Sequence, residues 1–302
     1  MDNRKNQHYV PKFYLREWCI PGTELVFVYD KEKGDIRKSN IENVAAVNYF
    51  YDFKLIEFLS EDTIQKLNAR GILCNGRLQT IEKRLSNNLE GPFSGIFADI
   101  ISKAREATPW HIKECFFISP EMKETLSVYL AFQLIRTRKI RKGIMDSANK
   151  LAEFCKKLDI PDSQVEKVKL SEEGASRIHN RMLLDKDGIT KFAYLFYRLT
   201  WVLGINKTKQ LFYTSDNPIG MQGHNKNRSP FIGTGLASCG VEVFYPISPD
   251  LILIMVDGDY HKHLIKDDRR YIEFVSLQTI EYYNSLIMKN AERCIIGLQD
   301  FP

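Results

Sequence analysis

Three short segments carry residue types suited to phosphate-ester chemistry, and the first is the run Gln7 to Trp18. His8 stands in it beside Lys12 and Arg16. A histidine can act as a general base near neutral pH, and both cationic side chains can bind phosphate oxygens. Gln7 would join the substrate contacts. The run is also aromatic, so buried rings and a His8 that merely bonds a backbone carbonyl are an equally weighted interpretation.

The second segment contains Gln133, Arg136, Thr137 and Arg141. At 100° per residue on one helix, Gln133, Thr137 and Arg141 lie within about 80°, with Arg136 about 60° to the other side. This spacing predicts Gln133 and Arg136 as catalytic groups and Arg141 as a phosphate contact. The stretch is rich in Lys and Arg, and the alternative is an ordinary solvated basic face.

The third segment is Ser215-Asp216-Asn217, directly before Pro218. An Asx-type turn explains this pattern as well as a site does. In the functional interpretation, Asp216 is a catalytic residue and a ligand of Mg²⁺ or Mn²⁺, because hard cations prefer oxygen ligands. Ser215 and Asn217 would then contact the substrate.

Glu82 and Glu90 are carboxylates that could complete such a site. On one continuous helix they would lie roughly 80° apart in angle and about 12 Å apart along the axis. We therefore expect one of them at most to join a given ion, and salt bridges to basic residues are the more ordinary explanation.

Helices are predicted to position the second segment. Ser119-Pro120-Glu121 has the residues of a helix start, and the helix is expected to run from Pro120 to about Leu158. Residues 76–105 predict two helices, or one interrupted near Gly91-Pro92. Another helix should start near Ser171, and the aromatic stretch Phe192 to Leu203 favours a helix but leaves a strand open.

Strands are predicted to position the other two segments. A β-hairpin spanning Glu24 to Asn40 follows the first segment. After Asn206 the chain turns to short apolar runs separated by Gly, Asn and Pro, and the longest loop is expected between Gly220 and Gly240. The fold class is therefore α+β: a largely helical N-terminal two-thirds with an N-terminal β-hairpin, packed on an antiparallel sheet from the C-terminal third.

Composition is that of an ordinary globular protein. The chain has 302 residues, 44% of them hydrophobic, and a net charge of +5. This mild basicity is compatible with a polyanionic partner but does not require one. Six scattered cysteines without a CxxC pair predict reduced thiols, and no apolar run reaches the roughly 20 residues of a membrane span. We expect a cytoplasmic protein of one domain, residues 1–302, with a possible internal boundary near residue 206.

The chain resembles a bacterial family known as domain of unknown function family 4238. The resemblance rests on QHYVPKFYLREW from Gln7, QLIRTR from Gln133, TSDNPI from Thr214, the run Tyr245 to Asp250, and Asn284 with Ala291. Arg138 departs from the pattern, because such chains often have proline after Arg-Thr. The resemblance implies a bacterial or phage-related cytosolic protein and carries no settled activity.

These polar segments lead to one hypothesis: they converge in a pocket directed at nucleic acid or nucleotide phosphate esters. The enzyme would be a metal-dependent nuclease or another phosphodiester hydrolase, such as an effector of anti-phage defence. The alternative is a binding module without turnover that recognises a nucleotide, another anionic ligand or a partner protein. A third possibility is that the segments form a buried hydrogen-bond network that stabilises the fold.

Overall fold

The structure is a computed structural model that describes residues 5–52, 60–70, 73–74, 77–78, 80–225, 234–299 and 301. The helices of this part are α1 (Lys12–Arg16), α2 (Glu61–Ala69), α3 (Thr80–Leu85), α4 (Gly91–Arg105), α5 (Pro109–Glu114), α6 (Pro120–Ile135), α7 (Arg138–Lys157), α8 (Asp162–Val168), α9 (Glu172–Leu184), α10 (Lys186–Tyr197) and α11 (Leu277–Asn290). The strands are β1 (Asn6–His8), β2 (Leu25–Asp30), β3 (Asp35–Asn40), β4 (Ala46–Asn48), β5 (Leu73–Cys74), β6 (Arg77–Leu78), β7 (Thr200–Asn206), β8 (Thr214–Ser215), β9 (Gly220–Gly223), β10 (Val241–Ser248), β11 (Leu251–Val256), β12 (Arg270–Phe274) and β13 (Cys294–Gly297). The α+β class is confirmed.

A five-stranded sheet forms the centre of the molecule, in the order β12-β7-β11-β10-β9. Strands β7, β10 and β11 are buried along their whole length. Their Val, Ile and Leu runs suit strands that are covered on both faces. The sheet is antiparallel except at its edge, where β12 pairs parallel to β7.

The predicted β-hairpin is confirmed, with β2 and β3 in antiparallel register from Leu25↔Asn40 to Asp30↔Asp35. Gly34, at φ +68°, provides the left-handed residue of its turn. Strand β2 also pairs with β13 at the far end of the chain, and β13 pairs with β8. The hairpin is therefore held in a second sheet by strands from the C-terminal third.

The prediction of one helix from Pro120 to about Leu158 is wrong. The start is as predicted, since Ser119 caps the helix by accepting a bond from the amide of Met122. The helix ends at Ile135, and Thr137 is extended (φ −78°, ψ 155°) before α7 begins at Arg138. The break lets the Arg136 carbonyl accept a bond from the Tyr51 hydroxyl at 3.1 Å, a tertiary contact that local helical periodicity does not reveal.

Between α3 and α4 the chain makes a π-helical turn, Ser86–Glu90. The interruption predicted near Gly91-Pro92 is thus a change of helix type directly before Gly91. Such turns are rare and occur frequently at functional sites.

The remaining expectations are partly met. The stretch Phe192 to Leu203 divides between the two alternatives, since α10 ends at Tyr197 and β7 starts at Thr200. Within the Gly220 to Gly240 stretch, residues 220–223 form β9, and residues 226–233 lie outside the described residues. Free thiols are found at Cys19, Cys115, Cys155, Cys239 and Cys294. In the described chain, no helix has both the length and the apolar character to cross a membrane.

Candidate functional site

The first segment folds into a strand, a turn and one short helix. Strand β1 pairs with β4, and Pro11 is extended (φ −61°, ψ 143°) at the start of α1. Tyr14 and Trp18 then point into the core at 1% and 0% exposure. Lys12 and Arg16, one helical turn apart, lie on the other face and are accessible to solvent.

This outer face borders a cleft of about 670 Å³. Such a volume is in the range of small-molecule pockets. The first segment and the residues before it supply Lys5, Asn6, His8, Lys12, Phe13 and Arg16, and the facing elements supply Glu42, Glu82, Glu90 and Ser94.

His8 lies at the inner wall of the cleft, 7% exposed. Its Nε2 is 3.0 Å from the Ile41 carbonyl oxygen, so Nε2 carries a proton and donates it. Burial lowers the pKa of His8 below its usual value. A neutral ring bonded in this way has its lone pair on Nδ1, the nitrogen that could accept a proton.

The cationic side of the cleft is partly neutralised. Lys12 forms an ion pair with Glu42 and donates a hydrogen bond to its carboxylate. This hydrogen bond lowers the pKa of Glu42. Arg16 is exposed at the rim. Arg16 is therefore the cation of this helix most open to an incoming ligand.

Glu82 and Glu90 both border the cleft, although the sequence predicted that one at most would join a site. That expectation assumed one regular helix, whereas the π-helical turn lies between them and changes their angular relation. Glu82 is 8% exposed. Glu90 forms an ion pair with Arg136, in which Oε1 of Glu90 is 3.0 Å from Nη2 of the guanidinium.

Arg136 is 2% exposed and lies behind the cleft, not in it. Its NH2 group donates to the His8 carbonyl at 2.6 Å and to Glu90, and its Nε donates to the Tyr51 hydroxyl at 3.3 Å. The guanidinium thus joins the backbone of His8 to a carboxylate of the cleft wall. Its predicted catalytic role would be exerted through these two residues.

Gln7 and Gln133 are fully buried on the same inner side. The Gln7 side chain donates to Asp52 and accepts from the amide of Tyr51 at 2.7 Å. Gln133 donates to the Tyr9 carbonyl at 3.2 Å, and its Oε1 has no partner among the described residues. Neither side chain borders the cleft.

Arg141 lies elsewhere, stacked 3.6 Å above the Phe50 ring. It donates to the Phe50 carbonyl at 2.6 Å and to Nδ1 of His179 at 3.0 Å. Burial lowers the pKa of Arg141 to about 10. Burial and the neighbouring Arg141 lower the pKa of His179 to about 4, so this histidine is neutral and accepts the bond.

The third segment forms a buried turn after β8. Both carboxylate oxygens of Asp216 accept backbone amides, from Glu292 at 3.0 Å and from Arg293 at 2.9 Å. Burial raises the pKa of Asp216 to about 6. Ser215 accepts from the amide of Asn217, whose side chain donates to the Asn290 carbonyl. None of the three borders the cleft, and within the described residues no three His, Cys, Asp or Glu side chains form a metal-binding group.

A family model described as "Protein of unknown function (DUF4238)" matches residues 6–301. The chain belongs to this family. The resemblance inferred from the sequence is thereby confirmed. Comparisons with curated proteins and with solved structures gave no match.

The landmarks of the DUF4238 resemblance meet in the interior. Arg136 and Gln133 bond to the first segment, whose Tyr14 donates to the Pro246 carbonyl at 2.6 Å and stacks on Tyr245. Tyr14 also bonds Thr214, the residue directly before the third segment.

Three of the predicted site residues, His8, Lys12 and Arg16, border one cleft. The seven others are Gln7, Gln133, Arg136, Arg141, Ser215, Asp216 and Asn217, and they do not border it. The sequence did not indicate Lys5 or Glu42 as cleft residues, and it predicted that at most one of Glu82 and Glu90 would join the site. Glu42 could have been found from the hairpin, because it lies in the turn Ile41–Asn43 directly after β3 and the hairpin returns the chain to the first segment.

Proposed function

We propose that this protein binds a phosphate ester of nucleotide size in the cleft and hydrolyses it, with His8 as the general base. The observation that carries the proposal is the cleft itself, in which His8, two cations of α1 and carboxylates from other elements face one volume of about 670 Å³. Polar groups converging in a pocket of this size are the usual form of a small-molecule site.

The charges of the cleft favour a phosphate that arrives with a divalent cation. Lys5, Lys12 and Arg16 balance Glu42, Glu82 and Glu90 in number. A free polyanion would be repelled by the carboxylates, whereas Mg²⁺ is commonly held by one or two carboxylates together with substrate phosphates. Glu82 and Glu90 are the carboxylates we assign to Mg²⁺ or Mn²⁺, in place of Asp216.

His8 has the properties of a base in this proposal. Its lowered pKa keeps the ring neutral at physiological pH. The bond from Nε2 to Ile41 fixes the tautomer, so Nδ1 would accept the proton of an attacking water. Arg16 would hold the phosphate at the rim.

A nucleotide fits the structure better than a long nucleic acid. The basic start of α7 was the main reason to expect a polyanion. Three of its charges have partners within the chain: Arg141 binds Phe50 and His179, Lys139 binds Asn290, and the exposed Lys142 pairs with Glu292.

The experiment measures phosphate-ester hydrolysis by the full chain, using ATP, AMP, bis(p-nitrophenyl) phosphate and single-stranded RNA with Mg²⁺, Mn²⁺ or EDTA. We expect metal-dependent turnover of the small esters that exceeds cleavage of RNA. His8→Gln should lower kcat by at least about 100-fold, the usual contribution of a general base. Arg16→Gln should raise KM about tenfold with a smaller effect on kcat, as expected for the loss of one charged contact.

The control is Arg181→Gln, an exposed arginine on α9 that does not border the cleft. Melting curves of each variant separate loss of function from loss of folding. Binding of ATP without turnover would support the alternative, a nucleotide-binding module. Absence of both binding and turnover would refute the proposal.

A further inference from the structure

A second group of ionisable side chains lies away from the cleft, around the end of β9. We call it the histidine pair: His224, which directly follows β9, and His261, which precedes the 3₁₀ turn Lys262–Asp267. The backbone of His224 is fixed on both sides, since its amide donates to Gly240 at 2.9 Å and its carbonyl accepts from the Tyr260 hydroxyl at 3.1 Å.

A buried carboxylate orients the His224 ring. Nε2 of His224 donates to Oε2 of Glu242 at 2.5 Å. Tyr283 donates to the other oxygen of Glu242 at 2.6 Å, and Glu242 is 6% exposed. Histidines that bind metals typically donate their second ring nitrogen to a carboxylate in this way. The arrangement leaves Nδ1 of His224 as the donor atom for a ligand.

The ring of His261 lies close to that of His224, and one of its nitrogens is available to bind a metal. Nε2 of His261 is buried and has no hydrogen-bond partner among the described residues. The ring centres of His224 and His261 are 5.3 Å apart with planes at 89°. Two imidazoles on one tetrahedral zinc, each with Zn–N near 2.0–2.1 Å, have ring centres about 5 Å apart.

We propose that His224 and His261 bind one divalent transition metal ion of the zinc class, with Glu242 positioning His224. Zinc is usually four-coordinate, so two protein ligands leave two coordination positions for water or an anionic ligand. The pair shares no residue with the cleft, so this inference stands independently of the proposed hydrolysis.

The histidine pair is not recognisable from the sequence, because His224 and His261 are far apart in the chain. His261 and His263 have no third ligand at zinc spacing near them in the sequence. His224 is brought to His261 by the pairing of β9 with β10 and of β10 with β11, the strand that His261 follows. His263 is exposed, its ring centre is 6.1 Å from that of His261, and it is not assigned as a ligand.

The test is calorimetric titration of the metal-free full chain with ZnCl₂, and with CoCl₂ monitored by visible absorption. We expect one equivalent of Zn²⁺ to bind. His224→Gln and His261→Gln should each weaken binding more than tenfold, and Glu242→Gln should weaken it 10- to 100-fold, the usual effect of losing an orienting partner. Stoichiometric Co²⁺ should show the intense absorption of a low-coordinate site.

His263→Gln is the matched control, because it removes an exposed histidine from the same turn, and it should bind Zn²⁺ like the wild type. Circular dichroism and melting curves establish that each variant is folded. Failure of the wild type to bind one equivalent overturns the proposal. So does binding that survives in both His224→Gln and His261→Gln, or an equal loss in His263→Gln.

Discussion

At the scale of single residues, His8 serves two different purposes. Its side chain borders the cleft, and its carbonyl accepts the guanidinium of Arg136. The sequence predicted the chemistry of His8, Lys12 and Arg16 from residue type alone. It could not predict that Arg136 faces the backbone of His8, because that contact joins positions 128 residues apart.

The other polar landmarks were expected in the pocket because a signature of a simple core would be apolar. The structure places most of them in buried hydrogen bonds. Polar residues can specify an interior as narrowly as apolar ones, since each must find a partner there. Polarity in a sequence signature therefore does not by itself distinguish a site from a network.

The buried contacts of Arg136 predict a large difference between two substitutions that each replace a buried polar side chain by methionine. Arg136→Met leaves Glu90 and the His8 carbonyl without the guanidinium, and the Tyr51 hydroxyl keeps only its bond to the backbone carbonyl of residue 136. We expect a loss of about 3–5 kcal/mol in the free energy of unfolding, as for other broken buried pairs. Gln133→Met should change it by less than about 1 kcal/mol, because the lost bond to Tyr9 is offset by removal of the unpartnered Oε1.

Urea unfolding at pH 7, followed by circular dichroism, measures both values. The two variants are matched, since each replaces a buried polar side chain near the end of α6 by methionine. Equal losses would contradict the network in which Arg136 is central.

At the scale of elements, the sequence predicted starts better than interruptions. The cap at Ser119 and the hairpin at β2–β3 arise from local residue preferences, and both were predicted. The break at Thr137 was not predicted, because tertiary contacts override a helical period that continues through it. An interruption near Gly91-Pro92 was predicted, but its π-helical form was not.

The break between α6 and α7 explains how position 138 can accommodate the proline that chains of this pattern often have after Arg-Thr. Arg138 is the first residue of α7, where proline is well accommodated, and Thr137 already has the extended conformation that a residue before proline prefers. We expect Arg138→Pro to be neutral or to stabilise the protein by up to about 1 kcal/mol. Gly143→Pro, inside the same helix, should cost about 3 kcal/mol or more.

Thermal melting of the two proline variants and the wild type makes the comparison. A cost for Arg138→Pro as large as for Gly143→Pro would mean that α6 and α7 form one continuous helix in solution.

At the scale of the whole molecule, the first and last parts of the chain share one sheet. Strand β13 lies between β2 of the hairpin and β8 of the third segment. A boundary near residue 206 would separate strands that pair with each other. Most of the buried hydrophobic residues among those described also form one cluster that runs from Tyr9 to Ile296. The family model matches residues on both sides of position 206.

This arrangement predicts one cooperative unfolding transition for both sides of residue 206. Hydrogen exchange in increasing urea, read by mass spectrometry, should give the same urea dependence for peptides of α6 and of β10, since neither side keeps its sheet and core without the other. Ile296→Ala removes a fully buried side chain from β13. It should lower the free energy of unfolding by about 2–5 kcal/mol and shift both peptides equally. If the β10 peptides open at lower urea than the α6 peptides, or if Ile296→Ala moves only one group, residue 206 marks a boundary between two separately folding units.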